Sequence, residues 1–240
     1  MALFGSVAEV VSDAAVECGL EAVSDVFGST DPAIVQMRAL LKSGGRALAL
    51  DAEWVQLRVE ASFATTTDTS YNLPADFSRM LPQTAWNRSV EVQMQPVNGE
   101  VWQYLKATSG ATAYTATFRP LAGKVELWPQ PPAAGETIAY EYLSRNWVAL
   151  AATTTPAKDA PTLNTDVLLY DATLLVPMLI AMFRERRQLP GAEAARAEFE
   201  RLKRIAIATS IPAHPALTLD RPGPGLRMLD WQNLPVTGYG

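Results

Sequence analysis

The stretch LLYDATLLVPMLIAMFRERR, Leu168 to Arg187, is the most apolar part of the chain and carries a proline in its middle and a cationic cluster at its end. Its reading decides the fold, because a membrane span, a core helix and a partner surface each place it differently. A spanning helix needs about 20 consecutive apolar residues, whereas the uncharged run extends only from Ala172 to Phe183, with Asp166 and Asp171 ahead of it. The membrane reading fails on length. A helix that is apolar most of the way round has to be covered on several sides, so this one needs neighbours on more than one face. Pro177 lacks a backbone donor and costs about 3 kcal/mol in a regular helix interior, which predicts a kink or a break within a turn of it. Arg184, Arg186 and Arg187 suit the negative end of such a helix.

Downstream, Pro190 and Gly191 punctuate the chain before GAEAARAEFERLKRIAIA, where Ala195, Phe199, Leu202 and Ala206 share one side and Glu200 and Arg204 are spaced as an i,i+4 pair. Residues 164–210 therefore read as an antiparallel helical hairpin. Residues 211–240 hold prolines at 212, 215, 222, 224 and 235 and form no helix of any length. They read as an extended tail, yet they carry Leu226, Met228, Leu229, Trp231 and Leu234, side chains that a flexible polar tail does not need.

Upstream, residues 151–163 are a linker by their Ala, Thr and Pro content. Before them, residues 58–150 have the texture of an inserted antiparallel β domain, with short runs of Thr, Tyr, Phe and Val between Pro and Gly. The candidate strands are RVEASFATT, LPQTAWNR, VEVQM, AYTATFR, KVELWP and TIAYEYLS, and the turns PLAG and QPPAAGE join the last three as a meander. EVWQYLKATS is a short helix inside the domain.

Residues 1–57 are helical. Val7, Val10, Val11, Ala14, Ala15 and Cys18 form an apolar face, and Glu9, Asp13 and Glu17 recur on the other side. That acidic stripe is either an ordinary solvated face or the wall of a channel that must not bind DNA. Asp31 and Pro32 open a second helix as cap and first-turn residue, and Ile34, Met37, Leu41 and Leu48 carry its face onward. Gly44 and Gly45 interrupt it at a cost of about 1 kcal/mol each relative to alanine, which points to a kink or a close helix approach. The fold class is α+β: a helical bundle core from the N-terminal helices and the C-terminal hairpin, an inserted β domain and an extended tail.

The bulk numbers limit the chemistry. With 240 residues, 48% of them hydrophobic, and a formal net charge of −5, the chain suits one good core, or a helical core plus a smaller second unit, and is a poor grip for phosphate backbones. The lone Cys18 forms no internal disulfide, and the N-terminus meets Glu9 and Asp13 without a basic region, unlike a secretory signal. Synthesis and retention in the cytoplasm are expected. His214, the one histidine, lies between Pro212 and Pro215, so neither a histidine metal site nor a nucleophile relay is expected. Gly123-Lys124 lacks the rest of a phosphate-binding loop. The expectation is a protein that is not an enzyme and needs no metal or cofactor. A different class stays open: Glu53, Glu60, Glu126 and Glu141, with Trp86, Trp102, Trp128 and Trp147, are available to a peptidoglycan hydrolase or glycan binder on the β domain.

With the parts in this order, the chain resembles the head-to-tail adaptor (connector) proteins of short-tailed bacteriophages. The resemblance is carried by YNLPADFSRML (Tyr71 to Leu81), TIAYEYLSRNWV (Thr137 to Val148) and NTDVLLYDATLLVPMLIAMFRERRQLPG (Asn164 to Gly191). In that family the last of these corresponds to an Asp-containing lead-in, a Leu-rich helix and an Arg before a Gly turn. Pro177 departs from the uninterrupted helix of the family, and the first helix matches only loosely.

The resemblance implies a structural virion protein at the head–tail interface. It implies a homo-oligomeric ring, commonly a dodecamer, beneath the portal ring, extending the DNA channel and offering a platform to the next tail component, a nozzle or tail tube. Genomic DNA would pass through without specific binding, and no membrane is involved. Leu226, Met228, Leu229, Trp231 and Leu234 would dock on the portal. Leu174, Leu175, Met178, Met182, Arg184 and Arg187 would face the neighbouring subunit, and Glu9, Asp13 and Glu17 would line the channel. Another tail subunit such as a nozzle is a further alternative, against which the helical hairpin argues.

Overall fold

The computed structural model describes residues 4–108, 116–130 and 132–210. The apolar tail residues Leu226, Met228, Leu229, Trp231 and Leu234, and His214, lie outside the described residues, as does the start of the expected strand AYTATFR.

The chain opens with a short strand, β1 (Phe4–Ser6), and a helix, α1 (Val7–Glu17). Ser6 and Glu9 form a capping box: the Ser6 hydroxyl accepts from the Glu9 amide at 3.3 Å, and the Glu9 carboxylate accepts from the Ser6 amide at 2.8 Å. The next helix, α2 (Pro32–Asp51), starts where the sequence predicts, with the Asp31 carboxylate accepting from the Ala33 amide at 2.7 Å. A single 3₁₀ turn, Val55–Leu57, leads into the strands.

These are β2 (Arg58–Ala64), β3 (Ser70–Asn72), β4 (Phe77–Met80), β5 (Trp86–Asn87), β6 (Val92–Gln93) and β7 (Gln95–Pro96), then helix α3 (Gly99–Ala107), β8 (Thr117–Leu121), β9 (Lys124–Trp128) and β10 (Thr137–Ser144). One sheet has the order β2-β10-β5-β6, with β4 also pairing β10, and a second has the order β3-β9-β8-β7. Strands β8 and β9 form the expected hairpin. The expected meander ends there: β10 leaves β9 and becomes the centre of the other sheet, between β2 on one edge and β4 and β5 on the other. Six of its eight residues are buried, and a strand covered on both faces belongs in the middle of a sheet rather than at the end of a hairpin series.

The remaining elements are β11 (Val148–Ala149), β12 (Val167–Asp171), α4 (Ala172–Arg187) and α5 (Ala192–Ser210). Here the decisive stretch divides. Leu168, Leu169 and Tyr170 are a fully buried strand flanked by β1 and β11, not the first turn of a helix. A short continuous apolar run has no period that distinguishes strand from helix. Asp171 makes the switch, ending the strand and capping α4 by accepting from the Thr173 amide at 2.8 Å. Pro177 lies inside α4 and the helix runs on through it to Arg187, so the expected break is absent. The ring leaves α4 without one i→i−4 bond, the one residue 177 would donate to the Thr173 carbonyl.

Two apolar cores result. The larger gathers α1, α2, α4, Trp54, Trp147 and strand β12, with α5 laid against it through Ala195, Phe199, Leu202 and Ala206. The smaller lies between the two larger sheets and includes Met94, Phe118, Leu127, Ile138, Tyr140 and Tyr142. The fold is α+β, with five helices and mainly antiparallel sheets among the described residues. The Pro and Thr-rich residues 151–163 are tied to the larger core rather than hanging free: Lys158 bridges to Val148, Asp159 pairs with Arg46 at 2.6 Å, and the Asp159 carbonyl accepts from the Trp147 indole at 2.7 Å.

Candidate functional site

Helix α4 is surrounded by its own chain. Leu174, Leu175 and Met178 are at most 3% exposed, so no neighbour is needed to bury them, and Met182 is half-buried beside α2. The contact with α2 is made at Gly44, where a β-carbon would stand 2.7 Å from Met178 and 3.0 Å from Met182; the next residue, Gly45, lies against Trp147, whose ring a β-carbon there would strike. Close approach, not a kink, is what those glycines permit. At the other end Gln188 adopts a left-handed conformation, and the Leu189 amide returns to the Arg184 carbonyl at 2.9 Å.

The arginines close this end of the body. Arg184 is half-buried and donates to the Glu17 carbonyl at the end of α1, at 3.4 Å. Arg187 is exposed, lies over the Phe183 ring and donates to Gln36 on α2 at 2.8 Å. The expected Glu200–Arg204 pair does not form: Arg204 reaches the Glu200 carbonyl instead, and the Glu200 carboxylate pairs with Lys203, which also reaches Asp51 on α2. Glu9, Asp13 and Glu17 are all exposed on one side of α1, opposite the buried Val7, Val10 and Val11. The Ser6 amide, and then its hydroxyl, hold the Glu9 carboxyl below its ordinary range, so one member of the stripe is also a helix cap.

The stretches that carry the resemblance meet one another in space. Asp76, from YNLPADFSRML, accepts from the Tyr142 hydroxyl at 2.9 Å and the Ser144 hydroxyl at 2.6 Å, both from TIAYEYLSRNWV. Arg145 adds a donor to the Ala75 carbonyl at 2.6 Å. Burial, with the Asp76 hydrogen bond and charge, pushes the Tyr142 hydroxyl well above its ordinary range and keeps it a donor. In the third stretch, Asn164 donates to Asp25 at 2.6 Å and accepts from the Val26 amide at 3.0 Å. Asp166 accepts from the Lys158 ammonium at 2.8 Å and from the Thr162 and Leu163 amides. These residues pin loops to the core; the partners of Asp76 and Asn164 are distant in the chain, and those of Asp166 lie within eight residues of it.

A cleft of about 590 Å³ opens where α5 passes the turn after α2, lined by Trp54, Val55, Tyr170, Leu202, Ile205 and Ala206. Trp54 is fixed by donating to the Leu48 carbonyl at 2.6 Å and by edge contact with Tyr170, ring centroids 5.3 Å apart. Ser210 stands on the rim, its hydroxyl accepting from the Val55 amide at 3.3 Å.

The carboxylates considered for glycan chemistry are mostly dispersed. Glu60 and Glu141 face each other across β2 and β10, with Arg88 on Glu60 at 2.6 Å. Glu126 is paired with Arg119, and Glu53 stands 4.0 Å from Arg79. Trp102 and Trp147 are fully buried, Trp128 meets Trp102 edge-on, and Trp86 is half-buried in β5. Among the described residues no group of three or more His, Cys, Asp or Glu is placed to hold a metal ion. No helix among them is long and apolar enough to cross a membrane.

What the geometry offers is therefore a braced body with an acidic helix face, an arginine-bearing corner and an apolar cleft, all suited to contact with other macromolecules. No curated protein matches the chain. The family model described as SU10 adaptor protein matches residues 6–219, nearly the whole chain, and the chain belongs to this family of bacteriophage structural adaptors.

Proposed function

We propose that the chain forms a ring, a dodecamer, below the portal of a bacteriophage, where it extends the DNA channel and gives the next tail component a platform. The observation that carries this reading is the family match over residues 6–219. Its physical support is a body with two cores and the exposed acidic face of α1. In a ring that turns Glu9, Asp13 and Glu17 inward, phosphates are repelled and the genome slides without being held. Arg184 and Arg187 stand at the corner where a neighbouring subunit meets α4, while Leu174, Leu175, Met178 and Met182 stiffen that corner from within.

Leu226, Met228, Leu229, Trp231 and Leu234 are the portal-docking residues of the tail, since apolar side chains on a proline-rich segment need a partner surface to bury them. The tail reading is tested by co-sedimentation with portal rings. The full chain is expected to sediment with the portal and a chain lacking residues 211–240 to remain behind while still folded. Undiminished co-sedimentation of the shortened chain excludes the tail as the docking element.

A further inference from the structure

We propose that the cleft beside Trp54 is the seat of residues 211–219 of the same chain, IPAHPALTL, which anchor the tail before it reaches its distal apolar run. The first observation is where the described chain ends: Ser210 is on the rim of the cleft and bonded to Val55, so residue 211 begins at its mouth. The second is chemical. The walls include Trp54, Val55, Leu202, Ile205 and Ala206, and Val55 and Ile205 are 50% and 49% exposed, an apolar surface without a cover among the described residues. The segment that starts there contains Ile211, Leu217 and Leu219 and no charged side chain before Asp220.

Pro212 and Pro215 disfavour a continued helix and favour an extended form. At roughly 3.3 Å per residue, such a form reaches across a cleft of this size. The third observation is the extent of the family match, which includes residues 211–219 and stops before Leu226. The near part of the tail thus goes with the shared body and the far part does not. Attachment at the mouth favours the chain's own segment over a neighbour's, because a short tether raises the local concentration to the millimolar range. The inference deepens the proposed function and rests on it only for the role of the distal run, whose direction of exit the anchor would set.

The test uses the full chain, alone and dilute, with Ile205 replaced by the photo-crosslinker p-benzoylphenylalanine and, in a second preparation, Val55 replaced likewise. After illumination, mass spectrometry is expected to find crosslinks within one chain to residues 211–219 from both walls. Crosslinks to that segment only at dimer mass would assign the cleft to a second copy and overturn the proposal, as would crosslinks that avoid the segment. Leu217→Asp should lower the crosslink yield at least several-fold and Leu234→Asp should not; equal yields for both would also overturn it. No portal is present in this experiment, so its failure leaves the docking result standing by itself.

Discussion

Asp166 is 1% exposed and accepts from Lys158, Thr162 and Leu163. Burial alone would raise its carboxyl, but the hydrogen bonds from Lys158 and the two amides, with the Lys158 charge, outweigh burial and leave it below the ordinary aspartate range. A carboxyl depressed in the folded state stabilises fully above its unfolded value, near about 3.9. That stabilisation is lost as pH falls through the lower folded value. Asp166→Asn is therefore expected to lower the urea midpoint at pH 7 and to converge with the parent protein as pH drops from about 4 toward 2. A constant offset across that range would show that the ionised form contributes nothing. Neither Asp76 nor Asp166 shows its role in the sequence: each is one of 25 acidic residues, and the partners of Asp76 lie 66 and 68 positions away. The helix caps Asp31 and Ser6 with Glu9 are local patterns, and Asp31 followed by Pro32 is legible as a helix start in the sequence alone.

At the scale of elements, helix α2 packs through two glycines with unequal neighbours, Gly44 against α4 and Gly45 against Trp147. Gly45→Ala drives a methyl against the rigid Trp147 ring, whereas Gly44→Ala meets the flexible ends of Met178 and Met182, which can move aside. Overpacking of the first kind costs about 1 to 3 kcal/mol. In the second, about 1 kcal/mol of helix propensity gained offsets much of the strain. Thermal denaturation should therefore rank Gly45→Ala well below Gly44→Ala; the reverse order would contradict the packing described. The helical periodicity of α1, α2 and α5 is legible because each has a polar side. Strand β12 is not, because residues buried on both faces leave no alternation to read; β10 is legible as a strand in TIAYEYLS but not as the centre of a sheet, since its neighbours β2, β4 and β5 are set by pairing across the chain. Pro177 misleads because the packing that surrounds α4, through α1, α2 and α5, comes from partners distant in the chain.

At the scale of the molecule, the net charge of −5 acquires a direction only if the α1 face looks into the channel. Asp13→Lys with Glu17→Lys spares the Glu9 cap and reverses the rest of the stripe. Particles carrying it are expected to assemble normally and to release DNA more slowly, because cations on the wall hold phosphates. Unchanged release would place the face elsewhere. The central claim, a ring docked beneath the portal, is tested most directly by mixing the purified chain with its portal and imaging the product by electron microscopy. The account predicts a second ring of density below the portal, continuous with its channel. Bare portals beside unassembled monomers would contradict it.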